Sequence, residues 1–166
     1  MLGLMQDHPL LISSIFEHAT YSYSNQLIVS NTVEGGMHKY TYKDWGLRTK
    51  KLANSFKSFG LNQGDKVGTL AWNGYRHLEI YYATSSSGLI CHTINPRLHP
   101  DQIAYIVNHA EDKIIFVDAN ILPLIEDASI KFETVKAIVL MTDKDNMPST
   151  KIPKNIKVIC YEDFIS

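Results

Sequence analysis

The fold of this chain is decided by residues 66–118, which read KVGTLAWNGYRHLEIYYATSSSGLICHTINPRLHPDQIAYIVNHAEDKIIFVD. Three short apolar runs within this stretch are predicted to be strands, at 66–72, 89–94 and 114–117. Helical spacing fills the intervals, first over 75–87 and then from Pro100, a residue favoured in the first turn of a helix. Strands that alternate with amphipathic helices predict βαβ units and a parallel sheet covered on both faces.

The same kind of pattern continues on both sides of this stretch. The further predicted elements are helices at 10–20 and 119–129 and strands at 25–33, 38–41, 137–141 and 157–160. Glu34-Gly35-Gly36 is typical of the turn of a hairpin, because adjacent glycines tolerate positive φ. The predicted fold class is therefore α/β, with a doubly wound, mostly parallel sheet flanked by helices and an early β-hairpin. The order of the strands stays open, although right-handed crossovers limit it to a few arrangements.

A long amphipathic helix is predicted directly after the hairpin. Thr41 followed by Asp44 resembles a capping box, and Gly60 is a natural C-terminal stop. The apolar stripe of this helix consists of Trp45, Leu52, Phe56 and Phe59. Lysines recur every seven residues on its outer face, at Lys43, Lys50 and Lys57. We interpret that basic stripe as a solvated helix face.

The overall composition excludes several classes of protein. The 166 residues include 45% hydrophobic and 20% charged positions, and their formal net charge is −1. No apolar run approaches the roughly 20 residues that cross a bilayer, and two cysteines are too few for a secreted disulfide framework. The apolar residues 1–5 lack the basic flank of a secretory signal. We expect a cytoplasmic globular protein with no transmembrane segment and no nucleic-acid partner.

Candidate binding residues lie where the predicted strands end, because ligands of open α/β sheets bind outside the carboxyl ends of the strands. Loop 72–77 brings Asn73, Arg76 and His77 to a helix N-terminus, which suits an anion. A capped turn, with Arg76 paired to Glu79 or another carboxylate, is the alternative. The two interpretations differ in whether the Arg76 guanidinium is available to a ligand.

Three more polar residues lie at or near strand ends. Arg97 follows a strand in a loop, and its planar guanidinium suits a phosphate or carboxylate. His92 falls within a strand, so we interpret it as an interior group with its own hydrogen-bond partner. Asp118 stands between a strand and a helix, which predicts that it caps the helix.

Short catalytic motifs are absent from the sequence. It contains no G-x-G-x-x-G, no G-x-x-x-x-G-K-[ST], no G-x-S-x-G, and no histidine or cysteine spacing of a zinc site. The phosphate-like run Ser85-Ser86-Ser87-Gly88 falls at the end of a predicted helix, where the helix dipole disfavours an anion. Residues alone therefore indicate an α/β domain with anion-facing loops and no catalytic constellation.

Longer runs of the sequence carry a family resemblance. The most specific are NGYRHLE at 73–79, GLICHTINPRL at 88–98 and QIAYIVNHAEDK at 102–113. The entry into the predicted strand at 60–67, GLNQGDKV, and the start Met5-Gln6-Asp7 are similar too. Together they resemble the AMP-forming acyl-CoA synthetases that act on medium- and long-chain fatty acids, a branch of the adenylate-forming enzymes. The likeness covers essentially the whole chain.

The resemblance implies an acid–thiol ligase. Such enzymes use ATP and Mg²⁺ to convert a fatty acid to an acyl-adenylate and pyrophosphate, and then transfer the acyl group to coenzyme A. Their phosphate loop, later adenylation motifs and C-terminal domain have no counterpart here. The resemblance therefore identifies 1–166 as the N-terminal segment of the AMP-binding (adenylation) domain, inactive by itself. The alternative is a stand-alone coenzyme A- or nucleotide-binding module, or a dimerisation module, with the same fold.

Few functional residues are carried over by the resemblance. The family loop that matches Asn95 and Arg97 faces coenzyme A, so these two are the candidate binding residues. The alternative is that they only shape the turn between strand and helix. No catalytic residue and no metal ligand is carried over. The N-terminal segment of long-chain members takes part in homodimer contacts, so the resemblance implies an interface at the first helix and the hairpin.

Overall fold

A computed structural model describes residues 3–4 and 7–166 of the chain. The resemblance at Met5 and Gln6 lies outside the described residues. The helices are α1 Ile12–Ser22, α2 Tyr42–Phe59, α3 Tyr75–Ser86, α4 Pro100–Ala110, α5 Leu122–Ser129 and α6 Tyr161–Phe164. The strands are β1 Leu27–Asn31, β2 Met37–Thr41, β3 Lys66–Leu70, β4 Ile90–Thr93, β5 Ile114–Val117, β6 Ala137–Leu140 and β7 Lys157–Cys160. Every predicted element is present, with ends that shift by a few residues.

The main sheet has five strands in the order β4-β3-β5-β6-β7, and all of its pairs are parallel. From β3 the chain first crosses to β4 on one side and then returns to place β5 on the other side. The strand order therefore reverses between β3 and β5, and such a switch point leaves a crevice at the carboxyl ends of the two strands. Strands β1 and β2 form a separate antiparallel hairpin, so the predicted α/β class with an early hairpin is confirmed.

Helix α2 begins and ends as the sequence predicts. The Thr41 hydroxyl accepts a hydrogen bond from the Asp44 amide at 3.1 Å, and the Asp44 carboxylate accepts one from the Thr41 amide at 3.1 Å. Gly60 ends the helix with φ of 90°, a conformation that glycine adopts without strain. The three lysines of the outer face are exposed. None of the described helices combines the length and the apolar character needed to cross a membrane.

Side chains of the sheet alternate between two cores, one on each face. On one face Ile115 and Val117 pack with residues of α4 and α5; on the other, Ile114 and Phe116 pack with α2 and α3. A third apolar cluster joins α1, the hairpin, α2 and α3, and its buried members are Phe16, Tyr40, Trp45 and Tyr75. The third cluster attaches the hairpin to the body of the protein without any backbone pairing to the main sheet.

Candidate functional site

A small cavity of about 50 Å³ lies at the switch point between β3 and β5. The hairpin tip forms one wall, and the loops that follow β3, β5 and β6 form the others. Its lining includes Glu34, Trp72, Gly74, Arg76, Asp118 and Met141. We call it the carboxyl-edge cavity. It occupies the place where open α/β sheets bind their ligands.

Asp118 faces β3 across this cavity. Its Oδ2 accepts a hydrogen bond from the Trp72 amide at 2.6 Å, and the residue is buried. The prediction that Asp118 caps the following helix is wrong, because its side chain makes no capping hydrogen bond. The carboxylate instead accepts from the backbone amide of Trp72, just beyond the last paired residues of β3 and β5. Burial raises the pKa of Asp118 to about 6, and the Glu34 carboxylate adds to the rise, while the Trp72 amide opposes it.

Arg76 is occupied by protein groups. Its guanidinium donates to Glu34 Oε1 at 2.8 Å, to the Met141 carbonyl at 3.0 Å and to Glu162 Oε1 at 3.0 Å. The specific pairing with Glu79 is therefore wrong, while the broader alternative of a pairing with another carboxylate is confirmed. With three acceptors in place, this guanidinium serves the structure of the cavity wall.

Glu79 pairs with a different arginine. It is fully buried, and it accepts from Arg48 Nε at 2.8 Å and from the Tyr161 hydroxyl at 2.6 Å. Arg48 also donates two hydrogen bonds to Glu162, at 2.9 and 3.1 Å. We call Arg48, Arg76, Glu79, Glu162 and Glu34 the ion network. No local sequence pattern indicates it, because its partners lie 31 to 114 residues apart.

The two residues predicted to face coenzyme A lie in the loop after β4, the strand next to β3. Asn95 Oδ1 accepts a hydrogen bond from the Arg97 amide at 2.9 Å, which shapes the loop. The Arg97 side chain is exposed, and its guanidinium makes no hydrogen bond or ion pair within the described part of the chain. Arg97 is thus oriented by its backbone and open to a ligand, unlike Arg76.

His92 has its own partner, as its position in a strand predicts. Its Nδ1 donates to Asp112 Oδ2 at 2.8 Å, and that hydrogen bond raises the pKa of His92. Asp112 is fully buried, and its Oδ1 has no partner among the described residues. Gly68 of β3 leaves room for this carboxyl, because a Cβ there would lie 3.3 Å from Asp112 Cγ.

His77 is the second interior histidine. Its Nδ1 lies 3.0 Å from the Trp72 carbonyl and its Nε2 lies 3.1 Å from the Thr69 hydroxyl, so a neutral ring can donate to the first and accept from the second. Burial lowers the pKa of His77 and favours this neutral form. His77 therefore fixes the turn between β3 and α3 and leaves no free nitrogen for an anion.

The described residues do not fit a metal centre. Within 3–4 and 7–166, no three histidine, cysteine, aspartate or glutamate side chains converge as metal ligands.

The serine run at 85–88 lies at the C-terminal end of α3, as predicted, where the dipole of the helix disfavours phosphate.

Comparison with known proteins identifies close sequence relatives. The model of the AMP-binding enzyme family matches residues 16–159. The medium-chain-fatty-acid–CoA ligase of Ectopseudomonas oleovorans is 42% identical over 165 residues, which are 99% of this chain and 30% of that protein. The long-chain-fatty-acid–CoA ligase of Thermus thermophilus is 39% identical over 140 residues, or 84% of this chain and 26% of that protein. The chain thus spans less than a third of the length of these relatives.

Solved structures agree on the fold. The coronafacic acid ligase of Pectobacterium brasiliense superposes with a TM-score of 0.77 at 14% identity, over 94% of this chain and 29% of that one. The superposition thus covers most of this chain, and the family model matches most of its sequence. Because the family model matches residues 16–159, the chain belongs to the AMP-binding enzyme family.

Proposed function

We propose that residues 1–166 are the N-terminal segment of the adenylation domain of a fatty acid–CoA ligase. The observation that carries this proposal is the 42% identity to a medium-chain ligase, which extends over almost the whole chain. The same fold in solved ligase structures supports it. On this proposal the segment supplies one sheet and its carboxyl-edge loops, and the rest of the domain supplies the catalytic groups.

The proposed reaction has two steps. A fatty-acid carboxylate displaces pyrophosphate from ATP, which converts a poor electrophile into an acyl-adenylate with AMP as a good leaving group. The thiol of coenzyme A then attacks the acyl carbon and releases AMP. We propose that ATP brings Mg²⁺ with it, which offsets the phosphate charge during the first step.

Within this reaction we propose that Asn95 and Arg97 contact the nucleotide end of coenzyme A. Three features support the role: the loop lies at the carboxyl edge, Asn95 fixes its turn, and the Arg97 guanidinium is exposed. A guanidinium binds phosphate through paired N–H donors. Arg97 is the better placed of the two, because the Asn95 side chain already accepts a hydrogen bond from the loop.

A chimaera tests the proposed function. Residues 1–165 of this chain replace the matching segment of the Ectopseudomonas oleovorans ligase, and acyl-CoA formation is measured with octanoate, ATP, Mg²⁺ and coenzyme A. We expect the folded chimaera to make acyl-CoA, while the 166-residue chain alone releases no pyrophosphate above a blank. A folded chimaera without activity, or turnover by the chain alone, would contradict the proposal.

Substitution of Arg97 in the active chimaera tests the coenzyme A contact. We expect Arg97→Ala to raise KM for coenzyme A about tenfold, because one charge-assisted hydrogen bond contributes about 1.5 kcal/mol. The KM values for octanoate and ATP should stay unchanged. Lys57→Ala, an exposed cation on the outer face of α2, is the matched control and should leave all three KM values as they are. An equal effect on all three substrates would assign Arg97 to loop structure alone.

We further propose a cytoplasmic location and a homodimer that involves α1 and the hairpin. Two cysteines without a disulfide support a reducing compartment. Exposed apolar side chains on α1 and on the outer hairpin face support a contact there; they include Ile15, Leu27, Val29 and Met37. Light scattering of the chain measures the association directly.

A further inference from the structure

The hairpin has no backbone pairing with the main sheet, and away from its base, where β2 runs directly into α2, side chains hold it on the rest of the protein. Strands β1 and β2 pair with each other, and the five-stranded sheet includes neither of them. A two-stranded hairpin alone is at best marginally stable in water. The hairpin therefore keeps its form because its inner face packs on α1, α2 and α3. Its tip lines the carboxyl-edge cavity as long as that packing holds.

The tip is held by one carboxylate. Glu34 Oε1 accepts from Arg76 at 2.8 Å and from the Thr142 hydroxyl at 2.9 Å. Thr142 lies just after β6, so Glu34 crosses the carboxyl edge and joins the hairpin to two elements of the main fold. This contact closes the cavity on the hairpin side.

The middle of the hairpin is held by a histidine ring. His38 stacks on Tyr75 with ring centroids 3.7 Å apart and planes 14° apart. Its Nε2 is buried and has no partner in the described residues. A neutral ring can carry its proton on Nδ1, whereas a protonated ring must also carry one on the buried Nε2, where the N–H would have no acceptor. The free energy of removing that charged donor from water would then not be recovered. The docked geometry therefore fits a neutral ring.

The charges that surround His38 favour the same form. They come from each element packed against it: Arg48 of α2, Arg76 and Tyr75 of α3, Tyr40 of β2 and Glu162 of α6. Burial lowers the pKa of His38, the two guanidinium groups lower it further, and Glu162 alone opposes them. Glu162 also accepts hydrogen bonds from both arginines, so its charge is shared with them.

We propose that the hairpin is a pH-sensitive strap over the carboxyl-edge cavity, docked while His38 is neutral and released when His38 takes up a proton. The released ring regains an ordinary pKa near 6.5, so a proton binds the released form more tightly than the docked form. Docking is thus strongest above pH 6.5 and weakens as the pH falls below it. The cavity opens by movement of the hairpin while the parallel sheet stays folded.

Hydrogen exchange of the 166-residue chain tests the strap. Amide exchange is measured at pH 7.5 and 5.5 and corrected for intrinsic rates, for peptides that cover 27–41 and, as an internal reference, 114–117. The opening constant of the hairpin should rise up to about tenfold over this interval, the limit set by protonation of one histidine in the released form. The reference strand should keep its protection.

Two variants and one spectroscopic measurement decide the outcome. His38→Phe keeps the stack and cannot be protonated, so its hairpin exchange should not depend on pH. His109→Gln, which removes an exposed stacked histidine on α4, should behave like the parent chain. An undiminished pH response in His38→Phe, or equal loss of protection in β5, would overturn the proposal. Should that variant not fold, NMR titration of the His38 ring decides, because a midpoint at or above 6.5 with a protected hairpin contradicts the strap.

Discussion

Replacement of Arg48 by methionine is expected to lower the free energy of unfolding by about 3 kcal/mol. The change leaves Glu79 in a fully buried site with only hydroxyl donors, and it removes two hydrogen bonds from Glu162. Breaking a buried pair from one side costs about 3–5 kcal/mol, and the lower end applies because the Arg48 side chain is 25% exposed. Urea unfolding measures the effect.

A neighbouring lysine provides the matched control for this prediction. Lys50→Met lies two residues further along α2 on its exposed face, so its effect should stay within about 0.5 kcal/mol. Glu79→Gln in the Arg48→Met background should recover part of the loss, because it removes the unpaired charge and keeps the side-chain shape. Equal stabilities of Arg48→Met and Lys50→Met would show that the ion network contributes little.

The second large effect is expected at His92. His92→Ala leaves Asp112 buried with neither oxygen bonded to a side chain, so we expect a loss of about 2 kcal/mol at pH 6, somewhat less than for a fully buried pair. The loss should depend on pH. The folded-state pKa of His92 is raised, so its stabilising contribution is fully present below about pH 6.5 and disappears as the pH rises through the folded-state pKa.

The measurement is the difference in unfolding free energy between parent and variant from pH 6 to pH 9. This difference should shrink as the pH rises. In an Asp112→Asn background, the effect of His92→Ala on the unfolding free energy should not depend on pH. Asn keeps the shape of the side chain but carries no charge to pair with the histidine. A difference that grows with pH would mean that Asp112 prefers a neutral ring.

The sequence predicts local features of this fold well and contacts between distant segments poorly. The capping box at Thr41 and the stop at Gly60 depend on residues three to five positions apart, so their patterns are visible in the chain. The partners of Arg76 could not be predicted from such a local pattern. Glu79 is its neighbour on the same helix, yet Glu34 and Glu162 outcompete it, because the fold turns Glu79 towards Arg48.

In the candidate site, too, the local features could be predicted from the sequence and the contacts between distant segments could not. The sequence places polar residues at strand ends, and the parallel sheet brings those ends together at one edge. The direction that each side chain takes there depends on the neighbouring strand, which is why Asp118 bonds the Trp72 amide and leaves its own helix uncapped. Strand order is a property of packing over the whole sheet, so the position of the switch point could not be read in advance.

The ion network also bears on the order in which the protein folds. Its two arginines belong to α2 and α3, whereas Glu162 is 114 residues beyond Arg48. Closing so long a loop carries an entropic cost that precedes any gain from the contact. We therefore expect the Glu162 contacts to form after the sheet has condensed, and to slow unfolding with little influence on the speed of folding. The lifetime of the folded chain is then expected to depend on Glu162 more than its speed of folding does.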